Sequence, residues 1–262
     1  MKKLGKSTIV LLALAAVLLV GSAVGSTRAA LTYYSEYYGA EITVSNIGVS
    51  LIENEELISY RNYDNDGQWN KQEGELLVNM LAEGEKLSLG KEYPEELKVL
   101  NSGEIPSYVR VILTKSWEKE GVKDQTLDPG LIELKLEAED KVLDLSELNG
   151  ENGWYYDEDA STPERAVLYY ANILDVNTTT APLTSTLRIN PVLQTKVVKN
   201  VTTEVIDNKE YTTINYEYEF DGYKFNLEAE VDAVQTHNAV DAIKSAWGVD
   251  VTLAADGSIS LQ

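Results

Sequence analysis

Residues 62–73, "NYDNDGQWNKQE", set oxygen-bearing side chains at alternate positions of a short acidic stretch. Asn62, Asp64, Asp66 and Gln68 fall at the first four ligand places of a calcium loop. Gly67 falls at its sharp turn and Glu73 at the closing carboxylate. A hard divalent cation collects oxygens of this kind from one turning segment. Asn62 in the first place removes a charge. The upstream stretch "LIENEELISYRNY" reads as a hairpin, not as the helix of an EF-hand. Asn-Asp-Gly sequences also favour tight β-turns without any ion. The stretch is therefore a candidate calcium loop or a plain hairpin turn, and a calcium ion there would stiffen the loop without supplying catalysis.

Other chemistry is thinly represented. The chain has no cysteine and one histidine, His237. A zinc peptidase of the H-E-x-x-H type needs two histidines on one helix face. A serine triad would need His237 and a G-x-S-x-G elbow, and that motif is missing from the sequence. The run "NGWYYDED" around Trp154 offers either a sugar-binding aromatic shelf or half-buried sheet residues beside a solvated loop. Acidic pairs are too common in this chain to mark a catalytic site. The expectation is a protein that is not an enzyme, with a monomeric binding module for a glycan or host protein as an alternative.

Charge narrows the partners. The chain carries 22 Lys+Arg against 43 Asp+Glu, a formal net charge of −21. Such a chain repels nucleic-acid phosphates and anionic lipid. The N-terminus sets the compartment. Lys2, Lys3 and Lys6 precede an apolar run from Thr8 to Gly25, followed by the small residues of "STRAAL". That is the layout of a signal peptide, residues 1–29, with the cut after Ala29 leaving Ala30 as the new terminus. An uncleaved anchor is the alternative, since the run is just long enough to span a bilayer. Export without cysteine leaves stability to the core.

Residues 30–262 read as one domain made mostly of strands. "PSYVRVILTKSW" sets Val109, Val111 and Leu113 on one face, and "LIELKLEA" alternates Ile132, Leu134 and Leu136 with charged residues. "TSTLRINPVL", "QTKVVKNVTTEVI", "EYTTINYEYEF" and "YKFNLEAEVDAV" continue the series, with turns at "DNKE" and "DG". The 16 Tyr against 2 Phe suit half-wet β surfaces. Many short strands with regular punctuation predict an all-β sandwich with a few short helices. "NAVDAIKSAWG" predicts a helix with Asn238 as cap and Gly248 as stop. "GELLVNMLAEGE" reads as a short helix near residue 80. "STPERAVLYYANIL" fits either a helix with a Ser161–Glu164 capping box or a strand after a turn.

Several of these stretches together resemble one family. "STRAALTYYSE...ITVSNIGVSLIE", "VLNSGEIPSYVRVILTKSWEKEGVK", "NGWYYDEDASTPERAVLYYANILDVNTTTAPL" and "VDAVQTHNAVDAIKSAWGV" are similar to TasA/camelysin proteins of the clostridial type. The resemblance implies a jelly-roll β-sandwich, export through a SipW-type signal peptidase, and a place at the cell surface or in a biofilm matrix. It implies fibres in which the freed N-terminal strand of one subunit completes the sheet of the next. Here that strand is "ALTYYSEYY", with Leu31 and Tyr33 filling pockets on one face. With no cysteine and one histidine, a zinc site would need carboxylates from loops, so camelysin-like secreted peptidase activity is kept only as a weak alternative.

Overall fold

The computed structural model describes residues 46–63, 68–206, 209–218 and 220–262. The expected signal segment, the Ala29–Ala30 junction, Leu31 and Tyr33, and the loop positions Asp64 and Asp66 lie outside these residues. The described chain is mostly β-strand, as the alternation predicts.

Three antiparallel sheets share one core. The first has the order β3-β2-β1-β5, from β1 (Gly48–Glu53), β2 (Glu56–Tyr63), β3 (Trp69–Gln72) and β5 (Leu97–Asn101). The second has β10 (Trp154–Tyr156), β11 (Arg165–Tyr170), β6 (Ser107–Lys119) and β15 (Tyr223–Gln235) in that order, with β7 (Val122–Asp124) beside the end of β6. The third orders β4 (Glu92–Pro94), β12 (Thr186–Ile189), β8 (Ile132–Ala138) and β9 (Lys141–Asp144). Two hairpins stand apart, β13 (Val197–Ile206) with β14 (Lys209–Tyr218), and β16 (Val251–Leu253) with β17 (Ile259–Leu261).

Strand period places the core. Along β6, Val109, Val111, Leu113 and Trp117 point into the sandwich and meet Val49, Leu51, Leu134 and Leu187 from the other sheets. Lys115 shares this inward face. Its Nζ donates to the Ile132 carbonyl at 2.7 Å. Burial pulls the amine pKa down, opposed by the charges of Asp128, Glu133 and Asp144. The opposite face of the same sheet is covered too. Tyr108, Ile112, Val167 and Tyr169 pack under the helix α1 (Ala239–Trp247) and the β16–β17 hairpin.

Local expectations divide. "RAVLYY" is a strand, paired across β6 as Val167↔Ile112. The capping box does not form, because the Ser161 hydroxyl accepts from Val167 N and Glu164 pairs with Lys123. The helix expected near residue 80 is a series of turns with Leu77 at φ 65°. A left-handed residue there ends any helical ladder. Helix α1 forms and stops at Gly248, φ 77°. Asn238 does not cap it through its side chain, since the residue is itself left-handed and its amide donates to Asp241 Oδ2 at 2.8 Å.

Candidate strand-accepting groove

Sheet edges expose unpaired backbone groups, so their covering tells where another strand can add. The β10 edge is covered by residues 148–150, through Gly150 N to Trp154 O at 2.8 Å and Tyr156 N to Leu148 O at 2.9 Å. The β5 edge is covered by the segment 178–184. Thr184 Oγ1 accepts from Leu97 N and Thr180 Oγ1 from Val99 N, each at 3.1 Å, and backbone bonds run between the same segments. Strand β15 differs. Among the described residues it pairs on one side only, with β6, from Tyr223↔Lys119 to Gln235↔Ser107.

A groove lies beside that edge. Two adjoining depressions of about 710 and 520 Å³ share Leu51, Ser59, Glu73 and Ala229. One wall is β15 from Phe225 to Val231, the other is β1 and β2, and the segment from Gly74 to Met80 closes one end. The floor is apolar, with Leu51 and Leu227 buried. Phe225, Ala229, Val231 and Ala233 share the core-facing parity of β15 with Leu227, yet each is only half-buried. Among the described residues no strand closes the sandwich along this seam. At about 3.3 Å per residue, Phe225 to Val231 spans roughly 20 Å, shorter than an extended nine-residue strand. The rim is charged. Glu228 and Glu230 are exposed on β15, and Glu73 faces them paired with Lys71 Nζ at 2.5 Å, which holds its carboxyl below the usual carboxylate range.

The described part of the candidate calcium loop is a hairpin. Asn62↔Asn70 and Tyr63↔Trp69 pair its two ends, and the upstream stretch is itself the β1–β2 hairpin that its sequence suggests. Asn62 is half-buried and its Oδ1 accepts from Ser102 Oγ at 2.6 Å. Gln68 is exposed, and Glu73 sits past the end of β3 on the groove with its lysine partner. Asn62 and Glu73 therefore have protein partners, while Asp64 and Asp66 lie outside the described residues.

Of the two readings of "NGWYYDED", sheet residues fit: Trp154–Tyr156 is a strand with Trp154 buried and both tyrosines half-buried. Trp154 is 0% exposed, its ring lies 5.1 Å from that of Tyr170, and its Nε1 donates to the Ala181 carbonyl at 3.0 Å. It is a core residue and offers no surface to a sugar. His237 is exposed in the turn before α1.

Among the described residues no helix is long and apolar enough to cross a membrane. No family model, no curated protein and no solved structure matches the chain.

Proposed function

We propose that this protein is a secreted structural subunit of a cell-surface or matrix assembly, which takes up an extended strand along the free edge of β15. The observation that carries the reading is the seam: core-facing residues of a long strand left half-covered beside a groove with an apolar floor and a charged rim. Strand addition supplies backbone hydrogen bonds to the edge and buries alternate side chains in the groove. The segment from Ala30 to Tyr38 is the occupant by chemistry. Leu31 and Tyr33 fall on one face of an extended chain, spaced to meet an apolar floor. Processing after Ala29 would free that end, and the resemblance to TasA/camelysin proteins supports the same reading.

The test compares the chain beginning at Ala30 with one lacking residues 30–38, by negative-stain electron microscopy. Polymers from the first and monomers from the second are expected. A peptide of residues 30–38 added to the shortened chain should bind and fill the edge. Polymers that survive the deletion would sink the reading. So would discrete particles from both forms, which would favour a monomeric binding module.

A further inference from the structure

The hairpin β13–β14 is unlike the rest of the fold. Its two ten-residue strands pair with each other and with no further strand among the described residues. Every described side chain of β14 is exposed. Cross-strand register puts Val197, Val201, Ile214, Tyr216 and Tyr218 on one face. Ile214 is 45% and Tyr216 62% exposed. A lone two-stranded ribbon is marginal in water, and a long β-branched edge invites another strand.

Charge selects the partner. Residues 196–218 hold three lysines and four acids, so this surface is near neutral on a chain of net charge −21. Two copies repel least here.

Register selects the edge. Two copies related by a two-fold axis pair residue i with j and j with i. Opposed residues must also share a face of the sheet. On β14 one such register, centred on Thr213, sets Lys209 opposite Glu217 twice over, once on each side of the axis. It leaves Glu210 opposite Tyr216, away from like charge. On β13, Lys199 and Glu204 lie on opposite faces, so no two-fold register brings them together.

We propose that β14 pairs antiparallel with β14 of a second copy about Thr213, making a four-stranded sheet across the two molecules. This contact is separate from strand uptake along β15 and stands without it.

Sedimentation of the chain beginning at Ala30 tests it. Glu217→Lys or Lys209→Glu alone places like charges opposite each other at both ends, and should weaken self-association roughly tenfold. The double reversal Lys209→Glu/Glu217→Lys should restore it, and added salt should shrink the differences. Thr213→Cys, in a chain without other cysteines, should give dimers with a short thiol cross-linker. Thr202→Cys, on β13 and about 14 Å from its equivalent, should not. A monomer at every concentration would overturn the proposal. So would a double reversal no better than the single ones, or cross-linking at position 202 in place of 213. Deleting residues 30–38 removes the β15 occupant and leaves this charge cycle unaltered, which keeps the two contacts distinguishable.

Discussion

Glu53 and Glu95 are buried together where the end of β1 meets the link from β4 to β5. Glu95 is 1% exposed and neither of its carboxylate oxygens meets a donor. Glu53 Oε1 accepts from Leu77 N at 2.7 Å and so fixes the segment that closes one end of the groove. Burial, then the neighbouring Glu53 charge, push the Glu95 pKa up to about 9. Holding a proton turns Glu95 into a donor facing Glu53.

That proton makes stability depend on pH. In the unfolded chain the group ionises near 4.3, so between about pH 4.3 and 9 the folded state holds one more proton. Stability must fall as pH rises through that window, by at most about 1.4 kcal/mol per unit. It is fully present below the window and has no further to fall above it. Glu95→Gln keeps the shape of the neutral acid. It should stabilise the protein by up to about 3 kcal/mol at pH 7 and flatten the slope. Urea denaturation at several pH values measures both, and an unchanged slope would refute the proton held by Glu95.

Arg110 anchors α1 to the outer face of its sheet. Its Nε donates to Asp232 Oδ2 at 2.9 Å, and its guanidinium lies 5.5 Å from the Trp247 ring centroid. Lysine cannot reproduce the fork or the stack. Arg110→Lys should cost about 1–2 kcal/mol and redden Trp247 fluorescence. Faster proteolysis after Gln235 would accompany it, and a cleavage pattern identical to the wild type would contradict the anchoring role.

Trp154 reports on the core. Trp154→Phe loses the bond to the Ala181 carbonyl and should cost about 1–2 kcal/mol. Trp154→Ala should cost about 3–5 kcal/mol. Glycan titration should leave the emission of Trp154 untouched, whereas quenching that saturates would restore a sugar-binding role.

Gly74 sits where the groove wall turns. A Cβ there would lie 2.2 Å from the Ile58 carbonyl oxygen, which is backbone and cannot swing aside. Gly74→Ala should cost about 1–3 kcal/mol and displace the wall. Binding of the residue 30–38 peptide should weaken in parallel. Tight binding to this variant would show that the Gly74–Met80 segment is not part of the groove.

Much of the fold was written in local pattern. "LIELKLEA" alternates, and Ile132, Leu134 and Leu136 are all buried. The stop at Gly248 followed equally from residue type, because turn chemistry and period act over a few residues. Other features needed partners far along the chain. "RAVLYY" became a strand because β6 supplies its ladder, and the segment near residue 80 is turns, with the Leu77 N–H held by the Glu53 carboxylate. Trp154 lies among acids in sequence, yet its environment is set by Tyr170 and Ala181.

The sequence by itself determined the period of the strands, the net negative charge, and the residues able to turn. The tertiary structure alone decided which edges the described segments cover and which they do not. Edge coverage depends on segments such as 178–184 returning beside β5 and none of the described segments doing so beside β15. Local pattern specifies which side chains share a face, whereas backbone pairing across long separations is fixed only when the whole chain packs.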